Sequence, residues 1–313
     1  MLQQIVNTLI NASIYALFAL GYALVFGVLD ILNLAHGAIF MVGGMAAVQA
    51  VLLWHTPLVV GVIFGILVGG VLGVVLDLVT VAPLRARGAD FLAPLISTLA
   101  ASAIFVNITL SGLGSVNTTL PGVGAVHISL AGFGPNGFSF PAGSFPDDPL
   151  TIGSVVVRPV QIAIVALSIA LMVALTAMLR YSKLGRAIRA VAANRLAAQL
   201  AGIDVRRTIA ITFFLASALG ALAGIFYGLN LRDAISYDMG DSIQLRGLAI
   251  IVVGGMDSIP GVLLGSLLLA ASETPGVVGV GSTYRDAIGF GLLFLVLVIR
   301  PSGLLGRRGL RAA

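Results

Sequence analysis

The sequence predicts an all-α polytopic integral membrane protein with eight to ten transmembrane or re-entrant helices. Of its 313 residues, 59% are hydrophobic and 9% are charged, whereas soluble domains carry about 25% charged residues. Long apolar segments follow one another with no hydrophilic domain between them. One further apolar segment near the C-terminus is interrupted by glycine and proline. We therefore expect a single membrane domain, residues 1–313, with the lipid bilayer as its solvent.

The apolar segments define the spans, because a spanning helix needs about 20 mostly apolar residues. In residues 245–271 the run GGMDSIPG breaks the helix, since glycine and proline disfavour a helix interior. We expect two short helices there and one more apolar helix after them. The predicted spans are 6–28, 31–53, 58–82, 91–111, 158–179 and 208–230, the short pair 245–255 and 260–272, and the last helix 285–300.

The basic residues set the predicted orientation. They concentrate at Arg85 and Arg87, in the segment 180–207 and in the tail that begins at Arg300. The positive-inside rule places these regions in the cytoplasm, with the C-terminus, and places the N-terminus in the periplasm. The first ten residues carry no Lys or Arg and so lack the basic region of a signal peptide. The same loops account for the net charge of +5 without a nucleic-acid partner.

The loop 112–157 falls on the external side in this layout. It is rich in Gly, Pro, Ser and Asn and has no Lys or Arg. Two alternatives remain open: it packs over the outer mouth of the protein, or it is disordered.

Glycines at four-residue spacing predict close helix packing, since small residues let helices approach in lipid. These sets are either packing faces or a dimer or pathway face. They are Gly65, Gly69 and Gly73; Gly220, Gly224 and Gly228; and Gly261 with Gly265.

Candidates for a solute pathway come from a weak similarity between the two halves of the sequence. GVLDILNLAHG in the first half and GGMDSIPG in the second each follow an apolar helix. Paired broken helices mark the binding site in transporters built from repeats. A buried His36 serves either as a structural residue or as a solute or proton contact. The candidate pathway residues are Asn33, His36, Gly37, Gly254, Gly255, Asp257, Ser258 and Pro260.

The sequence offers little for catalysis or ion coupling. It holds no GxSxG elbow, no metal-binding cluster and no GxxxxGK[ST] phosphate loop, and Lys183 is its only lysine. We expect no enzyme activity and no cofactor, and any ATP must be bound by another chain. Asp77 is expected at a solvated membrane interface, and no span is expected to hold, at its centre, an acid paired with a base or with another acid. This argues against an ion-coupled carrier.

The polar segment 180–207 carries seven of the 17 basic residues between two apolar spans. Its residues 184–200 predict one helix, with Gly202 as its stop and Gly185 at its start. Leu184, Ile188, Val191, Leu196 and Leu200 supply apolar contacts along it. This segment is either a docking element for a soluble partner or an ordinary positive-inside loop.

Four blocks of the chain resemble one transporter family. In chain order, the four blocks are GYALVFGVLDILNLAHGAIFMVGG, GRAIRAVAANRLAAQLAGID, GGMDSIPGVLLGSLLLA and YRDAIGFGLLFLVLVIRPSGLLG, and the resemblance extends over about residues 5–306. They are similar to the permeases of branched-chain amino acid ABC importers, of the shorter, LivH type. Asp257 departs from the family pattern, which has a small residue there.

The resemblance implies a type II-like ABC importer permease domain in a bacterial inner membrane. It implies ATP-binding cassette ATPase subunits, a second related permease subunit and a periplasmic substrate-binding protein as partners. Permeases for urea, short amides or aromatic acids are similar, so these solutes stay open, and an ion-coupled carrier remains the other class of alternative. The residues implied to couple to the ATPase are Lys183, Leu184, Gly185, Arg186, Arg189, Ala190, Asn194, Ala197, Ala198, Gly202 and Ile203.

Overall fold

The structure is a computed structural model in which helices predominate. It describes residues 2–90, 92–120, 124–131, 137–141, 143–144, 148–152, 155–231, 235–255, 258–280, 285–300 and 303–306. A π-helical turn, Asp77–Val81, joins the third helix to the fourth. The helices are α1 (Leu2–Leu29), α2 (His36–Leu53), α3 (Leu58–Leu76), α4 (Ala82–Ala86), α5 (Leu92–Ser111), α6 (Pro159–Tyr181), α7 (Lys183–Ala193), α8 (Arg195–Leu200), α9 (Val205–Leu231), α10 (Met239–Gly254), α11 (Ile259–Val280) and α12 (Arg285–Ile299).

Six helices in the described ranges are long and apolar enough to cross a membrane, and they confirm the six predicted spans. Shorter apolar helices follow at Ile259–Thr274 and Ala287–Ile299, within α11 and α12. The six are Leu2–Leu29, His36–Leu53, Leu58–Ala86, Leu92–Ser111, Pro159–Tyr181 and Val205–Asn230.

The second span begins later than predicted, because residues 30–35 are not helical. Asp30 ends α1 with a left-handed φ of 56°. The Asn33 side chain then accepts a hydrogen bond from the Ala35 N–H at 3.1 Å. Asparagine and aspartate compete with the helix through such local bonds. The apolar residues between them therefore form an unwound link between α1 and α2.

The break in the region 245–271 is confirmed, although both helices are longer than predicted. α10 ends at Gly254, and Gly255 has a φ of 102°, a conformation that favours glycine. Ser258 then caps α11, since its hydroxyl accepts from the Gly261 N–H at 3.1 Å. Pro260 lies in the first turn of α11, where proline is tolerated.

Short strands lie in the loop 112–157, where only irregular chain was expected. β1 (Gly112–Leu120) pairs with β2 (Gly124–Ala131), and β3 (Leu150–Ile152) pairs with β4 (Val155–Val157), both antiparallel. Phe138 forms a single bridge with Ile235, beyond the end of α9. The all-α prediction therefore holds for the apolar bundle, and this segment adds two hairpins to it.

The two polar segments of the chain lie at opposite ends of α1. Near its start, the Gln3 amide donates to the Val156 carbonyl at 3.1 Å and accepts from the Val156 N–H at 2.8 Å. At its other end, Arg195 of α8 donates to the Leu29 carbonyl at 3.0 Å. α1 has 28 residues, and it is therefore about 42 Å long. The β3–β4 hairpin and the α7–α8 pair are thus separated by roughly the full thickness of a bilayer with its headgroups.

α1, α2 and α9 form the centre of the bundle, where Phe18, Phe40 and Phe213 are almost completely buried. α3, α5 and α6 lie outside them and leave large apolar side chains exposed. A soluble surface would not carry so many, and lipid would cover them in a membrane. Examples are Val59, Ile96 and Val173.

The glycine sets form packing faces within the chain. A Cβ added at Gly69 or Gly73 of α3 would collide with Ala221 or Ser217 of α9. A Cβ at Gly224 would collide with the Phe40 carbonyl of α2. Gly261 and Gly265 similarly face α10 across the break. These helices therefore approach each other backbone to backbone.

We expect Gly224→Ala to lower the free energy of unfolding by about 1–3 kcal/mol, the usual range for overpacking a tight contact. The added methyl would meet the Phe40 backbone, which cannot move as a side chain does. Gly291→Ala is the matched control, because nothing lies within 4 Å of its added Cβ. Thermal unfolding in detergent checks both variants, and equal stability of the two would contradict this packing.

Candidate functional site

The unwound link and the start of α2 hold three of the candidate pathway residues, and Gln244 of α10 joins them. The Gln244 Oε1 accepts from the Gly37 N–H at 2.6 Å. Its Nε2 donates to the Tyr22 hydroxyl at 3.1 Å and to the Asn33 carbonyl at 3.4 Å. The structure thus connects α1, the link, α2 and α10 through one amide. We call Tyr22, Asn33, His36, Gly37 and Gln244 the polar cluster.

The His36 side chain fills a small space between α1 and α9. Its imidazole is fully buried, and its Nε2 lies 3.2 Å from the Phe18 carbonyl. A carbonyl can only accept, so Nε2 carries the proton in this bond. A Cβ at Gly21 or Gly220 would press on the ring, so glycine on both helices makes room for it. The ring centroids of Phe18 and His36 are 4.7 Å apart.

Two polar atoms of the cluster lack a hydrogen-bond partner among the described residues. They are the Nδ1 of His36 and the Nδ2 of Asn33, and both side chains are buried. Buried polar groups are normally satisfied by protein or ordered water. These two atoms are therefore the places in the cluster where an exchangeable polar partner would bind.

The remaining candidate pathway residues surround the α10–α11 break. Gly254 packs directly on Gly261, and the chain after α12 covers the break. There the Leu304 and Leu305 N–H groups donate to the Val253 and Gly254 carbonyls at 2.8 Å and 3.0 Å. The last two carbonyls of α10 are thus satisfied by the chain itself. Asp257 lies outside the described residues.

The two groups of pathway candidates do not meet. α10 connects them, and Gln244 and Gly254 are ten residues apart on it, which corresponds to about 15 Å. Ser258 instead lines a mostly apolar cavity of about 240 Å³ between α1, α6, α7 and α11, with Leu20, Leu179 and Arg189.

The sequence analysis missed a buried charged pair between α10 and α11. The Arg246 Nε lies 3.3 Å from the Glu273 Oε1, and the Tyr15 hydroxyl donates to the Glu273 Oε2 at 2.8 Å. The expectation that no span holds, at its centre, an acid paired with a base was therefore wrong, since Arg246 and Glu273 lie inside α10 and α11 and not at their ends. The three residues lie on different helices, so sequence spacing gave no sign of the pair, although each was visible as a polar residue in an apolar segment.

Asp77 is also more buried than expected. It lies in the π-helical turn, its side chain is 0% exposed, and Arg85 is 3.8 Å away. Arg206 at the start of α9 is close enough to interact with it electrostatically. Asp77 lies near the end of its span, as expected. It is not solvated there, because the arginines and α9 cover it.

The segment 180–207 forms two helices where one was expected. Asn194 adopts an extended conformation, and its side chain accepts from the Ala197 N–H at 2.9 Å. It therefore ends α7 and caps α8. Gly202 has a φ of 81°, and its N–H donates to the Gln199 carbonyl, which confirms the predicted stop.

The residues of α7 and α8 divide into an inner and an outer set. Ser182 caps α7, and Gly185 lies against the last carbonyls of α6. Arg189 donates to the Leu179 and Arg180 carbonyls, so its charge is used within the chain. The inner set is Leu184, Gly185, Ile188, Ala190, Val191, Ala198 and Ile203. The exposed set is Lys183, Arg186, Asn194, Leu196, Ala197, Leu200 and Gly202.

Leu196 and Leu200 are the most informative members of the exposed set. They are 68% and 82% exposed and are four residues apart on α8, so they lie on one face. Five apolar residues of this segment were expected to make contacts. Ile188 and Val191 do pack into the core, whereas Leu196 and Leu200 stay exposed.

We expect Arg246→Met or Glu273→Met to lower the free energy of unfolding by about 3–5 kcal/mol each, because either change leaves a buried charge without its partner. The double variant should recover much of that loss, since it removes both charges. Thermal unfolding of the four proteins in detergent measures the coupling. Additive losses in the double variant would contradict a direct pair.

Comparisons with known proteins agree with the architecture. A family model described as the branched-chain amino acid transport system / permease component matches residues 4–297. The high-affinity branched-chain amino acid transport system permease protein BraD of Pseudomonas aeruginosa is 34% identical over 98% of this chain and 96% of its own. The LivH permease proteins of Salmonella typhimurium and Escherichia coli K12 are 31% and 30% identical with the same coverage. No solved structure matches the chain. The chain therefore belongs to the family of branched-chain amino acid transport system permease components.

Proposed function

We propose that this chain is the membrane-spanning permease subunit of an ATP-driven importer for branched-chain amino acids or related small polar solutes. A periplasmic binding protein delivers the solute, ATP-binding cassette subunits supply the energy, and a second related permease completes the pathway. The observation that carries the proposal is the α7–α8 pair, which presents an apolar and basic surface at one end of a membrane bundle. The chain has no phosphate loop of its own, so the nucleotide belongs to its partners.

The exposed face of α7 and α8 is the surface that we assign to the ATPase. Leu196 and Leu200 offer apolar anchors, while Lys183 and Arg186 offer positive charge around them. A short amphipathic helix that lies in a groove is a common recognition mode. Gly185 of the inner set and the exposed Arg189 fix the position of the pair against α6.

The same arrangement supports the proposed orientation in a bacterial inner membrane. With α7 and α8 in the cytoplasm, the far end of α1 and the β3–β4 hairpin lie in the periplasm, because α1 separates them by its full length. The segment 112–157 is then on the side where a binding protein docks. We assign the C-terminal tail to the cytoplasmic side as well, because its arginines, from Arg300 onward, favour that side under the positive-inside rule.

The polar cluster is our candidate for the solute contact within the protein. It lies at a break between two helices, and two of its buried polar atoms have no partner among the described residues. A solute with carboxylate and ammonium groups needs such donors and acceptors in an apolar surrounding. The α10–α11 break is less suited to that contact, since the Leu304 and Leu305 N–H groups already occupy the Val253 and Gly254 carbonyls.

An ion-coupled carrier is the second candidate, and the Arg246–Glu273 pair is the observation that favours it. Buried ionisable groups in membranes often belong to proton or ion relays. ATP dependence separates the two candidates. The chain is reconstituted with its ATPase, second permease and binding protein, and uptake of labelled leucine is measured with and without ATP. Uptake by this chain alone, independent of ATP, would contradict the importer.

We expect Leu196→Asp and Leu200→Asp to abolish association with the ATPase subunit while membrane insertion stays normal. Each change places a charge in the apolar part of the docking face. Tyr237→Asp is a control at an exposed position near the opposite end of α9. Co-purification of the ATPase with each variant is the measurement, and unchanged association of both leucine variants would remove α8 from the interface.

A further inference from the structure

One hydrogen bond joins the docking helices to the end of α1. Arg195, the first residue of α8, donates from Nη2 to the Leu29 carbonyl at 3.0 Å. Leu29 is the last residue of α1, and carbonyls at a helix C-terminus have no partner within the helix. A guanidinium is favourable there because it also complements the helix dipole. Arg195 is half-buried, whereas its neighbours Leu196 and Ala197 are exposed.

Arg195 is well placed to respond to a displacement of α8. α8 has six residues and is separated from α7 by the extended Asn194, so no continuous helix fixes it to α7. Its apolar residues Leu196 and Leu200 point away from the core. A partner that binds this face would therefore displace α8, and the first residue of α8, Arg195, is hydrogen-bonded to the end of α1.

The segment beyond Leu29 is where α1 can move relative to α2. Residues 30–35 are unwound, and Asp30 holds a left-handed φ that is uncommon for a residue other than glycine. Side chains hold this link: the Leu34 N–H donates to Thr98 Oγ1 at 3.1 Å, and Gln244 holds the Asn33 carbonyl. A shift at Leu29 thus reaches the polar cluster without breaking helical hydrogen bonds.

A second positive charge, on Arg85, lies near Arg195. Arg85, paired with the buried Asp77, is close enough to interact electrostatically with Arg195. Like charges repel, so Arg85 opposes a position of Arg195 nearer to α4. The Leu29 carbonyl supplies the attraction on the other side.

We propose that Arg195 is a positioning residue that transmits the state of the docked ATPase to the end of α1 and so to the polar cluster. The proposal rests on the proposed function, and it adds a link that Leu196 and Leu200 do not supply. A cap that only stabilised α1 would change stability and assembly. A transmitting residue changes the amount of solute moved for each ATP hydrolysed.

The test uses the full importer in proteoliposomes, with Arg195→Ala, Arg195→Lys and the control Arg87→Ala. Arg87 is an exposed arginine in the turn after α4, so its removal matches the charge change. We expect the Arg195→Ala importer to retain association with its ATPase subunits and a normal basal rate of ATP hydrolysis. Its leucine uptake per ATP hydrolysed should fall by about tenfold or more, the factor that corresponds to the loss of one charge-assisted hydrogen bond. Arg195→Lys, which still donates to a carbonyl, should recover most of the uptake, and Arg87→Ala should match the unmodified chain.

A second readout reports the link directly. The chain has no cysteine, so Leu32→Cys gives a single labelling site within the unwound segment. We expect its alkylation rate to differ between the nucleotide-free and ATP-bound importer, and expect Arg195→Ala to remove that difference. Arg195→Met, which removes the donor but keeps much of the side-chain length, replaces the alanine variant if that variant does not fold in the membrane.

The outcomes separate this proposal from the proposed function. Uptake per ATP equal to that of the unmodified chain, or an unchanged labelling difference, in Arg195→Ala would overturn the link. Loss of ATPase association in Arg195→Ala would also overturn it, since Arg195 would then be a docking contact. Absence of ATP-driven uptake in the unmodified importer would instead reject the proposed function.

Discussion

The structure depends on one constraint of the bilayer: each backbone group at a helix break must find its partner inside the protein. The chain breaks its helices at residues 30–35 and again between the end of α10 at Gly254 and the start of α11 at Ile259, and specific groups bind described backbone atoms at both breaks. Thr98 and Gln244 satisfy the first break with side chains. The backbone of residues 303–306 satisfies the second. The positions of α5, α10 and the C-terminal segment follow from these requirements.

Close packing of the central helices makes those bonds reachable. Gly37 and Gly240 lie so near each other that a Cβ on either would strike the backbone of its neighbour. This approach brings Gln244 within hydrogen-bond distance of the Gly37 N–H. Gly21 and Gly220 likewise leave room for the imidazole of His36. Small residues thus serve two purposes here, since they pack helices in lipid and admit polar side chains between them.

The sequence predicted those features that depend on local patterns. The lengths of the apolar segments predicted the six spans. Gly255 and Pro260 predicted the second break, and Gly202 predicted the end of α8. The length of the first break was underestimated, because ILNLA is mostly apolar and only the side chain of Asn33 interrupts it. Partners on other helices also stayed hidden. Gln244, Arg246 and Glu273 are single polar residues in apolar segments, and only the packing of α1, α10 and α11 shows what each one contacts.

The two breaks are built differently, and this difference bears on which of them contacts the solute. The sequence suggested equivalent broken helices in two halves, as in transporters with repeats. At the second break, backbone groups from residues 303–306 already occupy the carbonyls of α10, and they cannot be exchanged without moving the chain. At the first break the bonds come from side chains, which change rotamer readily, and two buried nitrogens have no partner among the described residues. An exchange of partners is therefore easier at the first break, beside His36, than at the second.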